Sequence, residues 1–136
     1  MSDLQRFLDA QQRDYATALN EIKAGQKRSH WMWYIFPQVA GLGFSEMARR
    51  YGIKDRDTAL EYLRHPVLGR RLIEIANALL TNGSSDAMQV MGTPDDMKLR
   101  SSMTLFALLP GTDPVFEKVL QKYFHGEKDK ATLELL

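Results

Sequence analysis

The sequence of 136 residues contains no cysteine. This excludes disulfide bonds, thiol nucleophiles and every thiolate metal site, and it favours a reducing compartment such as the cytoplasm. An excess of charge of one sign is also missing, because 18 Lys and Arg oppose 17 Asp and Glu, for a net charge of +1. Bulk charge therefore does not indicate nucleic acid or an anionic membrane as a partner.

Long hydrophobic runs are missing as well. The longest, residues 31–37, is far too short to cross a bilayer. The first residues carry an acid and no apolar stretch, which is unlike a signal peptide. A hydrophobic fraction of 44% with 26% charged residues is typical of a packed domain. We therefore expect a single helical domain over residues 1–136 with no membrane attachment.

Helix start and stop signals recur along the whole chain. Ser2 and Gln5 have capping-box spacing, and apolar residues then follow at helical intervals as far as Gly25, a suitable left-handed cap. Further helices are predicted to start at Ser45, Asp55 or Asp57, Pro66, Ser85, Thr93, Asp113 and Asp129. The helix at Pro66 should run to Asn82-Gly83 and the one at Ser85 to Gly92, and the strongest start signal, at Thr93-Pro94, should open a helix to about Leu109. The pattern predicts an all-α fold, a compact bundle of about six to eight short helices.

Residues 31–37 are the exception to this pattern. They are rich in aromatic side chains and end at Pro37, and periodicity cannot separate a buried strand from a short buried helix here. No other segment alternates with period two to pair with such a strand. The sequence therefore favours a short helix or irregular structure.

Basic, aromatic and amide side chains are concentrated in residues 27–38, which hold both tryptophans of the chain. Cations beside flat aromatic faces suit a ligand that carries a phosphate and a ring, such as a nucleotide. In the alternative interpretation, the aromatic side chains belong to the core, and Lys27 and Arg28 lie on a solvated loop.

A second polar cluster occupies residues 95–102. On a helix, Asp96 and Arg100 are one turn apart, so a surface ion pair with compensation of the helix dipole is one interpretation. The other notes that this helix is otherwise apolar. Lys98, Arg100 and Ser101 would then lie beside a buried groove, where charge persists only if it is paired or used.

The three histidines are widely separated and lack metal-ligand spacing, so no metal site is predicted. His65 precedes Pro66 and could cap a helix or face a groove. His125, beside Gly126, suits a helix C-terminus.

Three long motifs are familiar: residues 25–38 (GQKRSHWMWYIFPQ), residues 62–72 (YLRHPVLGRRL) and residues 94–106 (PDDMKLRSSMTLF). Together with the C-terminal pattern they resemble the bacterial domain-of-unknown-function family numbered 1810 over the whole chain. The resemblance implies a mainly α-helical single domain and assigns no activity or catalytic residue. The name calpastatin, which some members carry, denotes a disordered inhibitor and does not fit this composition.

Our leading hypothesis is a pocket between residues 27–38 and the helix at residues 95–102. It would bind a small anionic or nucleotide-like ligand, with catalysis left open and no cofactor expected. The candidate ligand-binding residues are Lys27, Arg28, His30, Trp31, Trp33, Gln38, Lys98, Arg100 and Ser101. The candidates for a catalytic role are His30, His65 and Lys98.

The alternative hypothesis is a non-catalytic module that binds a protein or a nucleic acid. It depends on a basic stripe formed by Arg49, Arg50, Arg64, Arg70 and Arg71. Binding that weakens steeply with salt would distinguish it from the small-ligand hypothesis.

Overall fold

A computed structural model describes residues 4–136 and contains nine α-helices in that range. They are α1 (Gln5–Lys23), α2 (Met32–Ile35), α3 (Glu46–Tyr51), α4 (Arg56–Arg64), α5 (Leu68–Thr81), α6 (Ala87–Met91), α7 (Asp95–Ala107), α8 (Val115–Phe124) and α9 (Lys130–Leu135). The predicted all-α fold is confirmed. This is one helix more than the six to eight expected, because the aromatic segment contains the short helix α2. Ser2, the predicted first cap, lies outside the described residues.

Several helices are capped by the predicted residues. Ser45, Asp55 and Asp129 each accept a hydrogen bond from the amide three residues later, at 3.1, 2.8 and 3.0 Å. Asp55, rather than Asp57, is therefore the cap of α4. Gly25 ends α1 with a φ of +82°, as its position predicts. These ends depend on local hydrogen bonds, which is why the sequence located them.

Three helix starts differ from the prediction. α5 begins at Leu68 rather than at Pro66. The His65 ring caps this start, because its Nδ1 accepts hydrogen bonds from the amides of Val67 at 3.1 Å and Leu68 at 3.2 Å. α7 begins at Asp95, and no side chain caps its start, so the predicted N-cap role of Thr93 is wrong. α6 begins at Ala87, after the Asp86 cap, and not at Ser85.

The end of α7 also lies earlier than predicted, at Ala107 rather than near Leu109. The loop that follows satisfies the terminal carbonyl of Phe106, which accepts bonds from the Thr112 hydroxyl at 2.8 Å and from the Leu109 amide at 3.4 Å. The loop therefore replaces the last helical hydrogen bonds.

α7 is the central helix of the core. It packs against α4, α6, α8 and α9, and α5 packs against α1, α4 and α8 on the other side. The Phe106 ring of α7 lies 5.5 Å from the Tyr62 ring and 5.7 Å from the Phe116 ring, which joins α4 and α8 through aromatic contacts. The packing of α7 therefore sets where the backbone of its N-terminal end lies.

The chain between α2 and α4 is anchored by one isolated parallel bridge between Val39 and Ile53. The Ile53 amide donates to the Gln38 carbonyl at 2.9 Å, and the Ala40 amide donates to the Ile53 carbonyl at 2.8 Å. This bridge places Gln38 beside α3. No helix in the described part of the chain combines the length and the hydropathy that crossing a bilayer requires.

Gly69→Ala is expected to lower the free energy of unfolding by about 2 kcal/mol, as overpacking does elsewhere. A Cβ atom at this position would lie 1.8 Å from the Leu63 carbonyl oxygen, which belongs to backbone and cannot move aside easily. Chemical denaturation measures the change. Arg70→Ala, at an exposed neighbouring position of α5, is the control and should change little. Equal stability of Gly69→Ala and the original protein would contradict the close approach of α4 and α5.

Candidate functional site

The segment before α2 is held by Glu21 of α1. Its Oε1 accepts bonds from the amides of Arg28 at 2.8 Å and Ser29 at 3.0 Å, and from Trp31 Nε1 at 2.9 Å. Its Oε2 accepts from the Ser29 hydroxyl at 2.6 Å. Burial alone would raise the pKa of this carboxyl, but the bonds from Ser29, Arg28 and Trp31 lower the pKa to about 2. Glu21 thus stays ionised and orders residues 28–31.

Lys27 joins this segment to α6 and α7. Its ammonium group lies 2.9 Å from Asp95 Oδ2, donates to the Ser29 carbonyl at 2.5 Å and lies 4.9 Å from the centre of the Trp31 ring. Its backbone amide donates to the Val90 carbonyl at 2.6 Å. Only 7% of its side chain is exposed. Lys27 is therefore a buried, paired cation that connects the two polar clusters of the sequence.

Lys98 contacts the same carboxylate from α7. Its Nζ lies 3.5 Å from Asp95 Oδ1 and 5.3 Å from the centre of the Trp33 ring. Its side chain is 28% exposed, and Trp33 is partly exposed as well. One carboxylate thus serves two ammonium groups, and the more distant of these, on Lys98, remains accessible from solvent.

Trp33 also lines a cleft, together with Gln38, Val39, Gly43, Ala48, Tyr51 and Gly52. The cleft has a volume of about 10 Å³, which is room for about one water molecule. A ligand bound here would therefore lie across the surface rather than inside a deep pocket. Trp31, in contrast, is 1% exposed and cannot stack on a ligand. It belongs to the core, as the alternative interpretation of the aromatic segment held.

Arg100 and Ser101 lie on a different side of α7, towards α9. Arg100 Nη1 is 3.8 Å from Glu127 Oε2, and the Ser101 hydroxyl donates to Asp129 Oδ2 at 3.0 Å. No ion pair joins Arg100 to Asp96 among residues 4–136. The surface pair expected from their spacing is replaced by contacts to the segment that leads into α9.

The remaining candidates do not contact Asp95. Arg28 is exposed, and its Nη2 donates to Gln26 Oε1 at 3.4 Å. His30 is exposed on the loop before α2. His65 caps the start of α5 through its Nδ1, which is one of the two roles that its position before Pro66 allowed.

The basic stripe of the alternative hypothesis is only partly exposed. Arg49, Arg50, Arg64 and Arg70 face solvent, whereas Arg71 points inward. The Arg71 guanidinium lies 5.2 Å from the Tyr15 ring centre, and its Nη1 lies 3.5 Å from Gln11 Oε1.

Sequence reasoning missed two polar residues of α1 that support this region. Glu21 has no local signal, because its partners lie seven to ten residues away across the helix end. Gln11 is 2% exposed and donates to the Tyr34 carbonyl and the Tyr62 hydroxyl, both at 2.8 Å. A signal for Gln11 does exist, since position 11 lies one turn after Phe7 on the buried stripe of α1.

Groups of three or more His, Asp or Glu side chains that could hold a metal ion are not found in residues 4–136. The sequence also contains no cysteine that could add a ligand.

Two of the comparisons with known proteins found a match. The profile of a family described as "Protein of unknown function (DUF1810)" matches residues 1–136. The crystal structure of the conserved hypothetical protein Rv1873 from Mycobacterium tuberculosis is similar to this chain with a TM-score of 0.96 and 44% sequence identity. That match covers 98% of this chain and 96% of the other. No curated protein matches the sequence. The chain therefore belongs to the DUF1810 family of proteins of unknown function.

Proposed function

We propose that this protein binds a small anionic ligand with a flat ring, of which a nucleotide is one example, on the surface formed by Trp33, Gln38 and Lys98. The observation that carries the proposal is the position of Lys98. Its ammonium lies 5.3 Å from the Trp33 ring centre and shares its only carboxylate partner, Asp95, with Lys27, in the part of the chain that the structure describes. An accessible cation thus lies over the ring of a partly exposed tryptophan.

The charges in this cluster favour an anion. Lys27 is the closer partner of Asp95, at 2.9 Å against 3.5 Å for Lys98, so Lys98 is the less neutralised of the two cations. A phosphate or carboxylate that approached Lys98 would complete its neutralisation. The exposed part of the Trp33 ring would contact a flat group of the same ligand, and the Gln38 amide would orient it.

The shallow cleft limits the mode of binding. With a volume of about 10 Å³, it holds no more than part of a ligand, and the rest would remain at the surface. The proposal therefore concerns binding of modest affinity and not a buried catalytic centre. Lys27, Trp31 and Glu21 act as supports that fix the orientation of this surface.

A thermal-shift screen of nucleotides, phosphosugars and nucleosides tests the proposal. A ligand at 100 times its dissociation constant should add about 2.7 kcal/mol to the free energy of unfolding. Lys98→Met should weaken nucleotides about tenfold and leave nucleosides unchanged, whereas Trp33→Leu should weaken both. Lys118→Met, which removes an exposed lysine of α8, is the matched control.

Two results would count against this function. One is the absence of any stabilising ligand in the screen. The other is equal binding by the Lys98→Met and Lys118→Met variants. Binding of RNA or DNA that weakens steeply with salt, and that falls with Arg49→Gln rather than Lys98→Met, would instead support the basic stripe as a nucleic-acid site.

A further inference from the structure

A larger cavity lies on another part of the molecule, between α4, α5 and the loop that joins α7 to α8. Its volume is about 420 Å³, which falls in the range of small-molecule sites and far exceeds the cleft beside Trp33. Its lining includes Leu63 and Arg64 of the motif at residues 62–72, and Arg64 is also a member of the basic stripe. The proposed function does not use this cavity.

One part of the wall of this cavity is apolar and consists of Leu60, Leu63, Ile73, Pro110 and Pro114, and the rest is formed by Arg64, Gly111, Thr112 and Asp113. The first three are only partly buried and pack against the core with their remaining surface. The two prolines come from the loop after α7 and have rigid rings. An apolar group that entered the cavity would therefore meet a firm hydrophobic surface.

Two opposite charges, Arg64 and Asp113, line the same cavity. Within residues 4–136 no ion pair of 4.0 Å or less joins them, and Arg64 makes no side-chain hydrogen bond there. Asp113 Oδ1 accepts a bond from the Val115 amide at 2.8 Å, which fixes the carboxylate at the start of α8. Its second oxygen is left for another donor. The cavity thus presents a separate cation and a separate anion beside an apolar wall.

We propose that this cavity binds a small apolar zwitterion, namely a free α-amino acid with a hydrophobic side chain. Its carboxylate would pair with the Arg64 guanidinium, its ammonium group would donate to Asp113, and its side chain would cover Leu60, Leu63 and Ile73. A simple anion would be repelled by Asp113, and a simple cation by Arg64. A neutral apolar molecule would desolvate both charges without pairing either. The zwitterion is the class that satisfies all three features.

Calorimetric titration of the whole chain with L-leucine and L-phenylalanine tests this proposal. At least one of them should bind with a dissociation constant of about 1 mM or lower. N-acetyl-leucine lacks the ammonium charge and leucinamide lacks the carboxylate, so each should bind about tenfold more weakly than leucine. Arg64→Gln and Asp113→Asn should each weaken leucine about tenfold, and Asp113→Asn retains the oxygen that accepts from Val115.

Arg70→Gln is the matched control, since Arg70 is an exposed arginine of α5 that does not line the cavity. It should leave binding unchanged. Absence of binding heat with both amino acids would overturn the proposal, as would binding of N-acetyl-leucine and leucinamide as tight as that of leucine itself. If either variant of the cavity failed to fold, the comparison of leucine with its analogues on the original protein would still decide. These outcomes are separate from those at Lys98, because the two ligand sets share no member.

Discussion

Glu21→Ala is expected to lower the free energy of unfolding by about 3 kcal/mol, because it removes the acceptor of several charge-assisted hydrogen bonds. The Trp31 indole is 1% exposed, and its N–H donates to Glu21 at 2.9 Å. Without the carboxylate this buried donor loses its partner, and the amides of Arg28 and Ser29 lose theirs as well. Denaturant unfolding, followed by tryptophan fluorescence, measures the loss.

The pH dependence of stability separates this role of Glu21 from simple packing. Its pKa in the folded protein is about 2, below the ordinary value of 4.5, so the unfolded chain binds the proton more readily. The contribution of the ionised carboxylate is therefore fully present above pH 4.5 and is lost as the pH falls towards about 2. Glu21→Gln keeps the Oε1 acceptor, so it should cost less than Glu21→Ala and should be closest to the original protein at the lowest pH. A constant difference between Glu21→Gln and the original protein across this range would contradict the role of the charge.

Asp95→Ala is the second large effect, with an expected loss of about 3 kcal/mol, because it leaves a nearly buried cation without a carboxylate partner. Lys27 is 7% exposed on its side chain, and Asp95 Oδ2 lies 2.9 Å from its Nζ. Removal of the carboxylate also ends a favourable interaction with the positive end of α7, which accounts for a smaller share of the loss. Thermal and denaturant unfolding both report the change.

A double substitution distinguishes the unpaired charge from other losses. Asp95→Ala combined with Lys27→Met removes both charges and should be more stable than Asp95→Ala alone, because no buried cation is left unpaired. Lys98→Met, whose ammonium is partly exposed and 3.5 Å from Asp95, should change stability by less than about 1 kcal/mol. A double variant less stable than Asp95→Ala would show that Lys27 contributes through packing rather than charge.

The same variants connect stability with the proposed function. In Asp95→Ala, Lys98 loses its carboxylate partner and becomes a more available cation beside Trp33. An anionic ligand should therefore bind this variant more tightly than the original protein, even though the variant is less stable. Asp95→Ala should thus lower stability and strengthen binding, whereas Lys98→Met should hardly change stability and should weaken binding. The two measurements together distinguish a supporting residue from one that contacts the ligand.

Local patterns predicted most helix ends, since these depend on neighbours in the sequence. The caps at Ser45, Asp55 and Asp129 are of this kind. The predictions at Thr93 and Pro66 were wrong in detail. No side chain caps the start of α7, and α5 begins two residues after Pro66, where the His65 ring caps it. The role of Gln11 could not be predicted from such local patterns. Its buried amide bonds to Tyr62 of α4 and to the Tyr34 carbonyl of α2, and such partners become neighbours only when the helices pack.

The sequence by itself determined the all-α class and the two polar segments in which to look for a site, because capping, helical periodicity and composition are local properties. The sequence could not show which side chains of those segments are buried and which are accessible. Only the tertiary structure decided that Lys27 and Trp31 are buried, whereas Lys98 and Trp33 remain accessible. The physical reason is that Asp95 and Lys98 are neighbours on one helix turn, whereas Lys27 lies far away in the sequence and reaches Asp95 only in the folded chain.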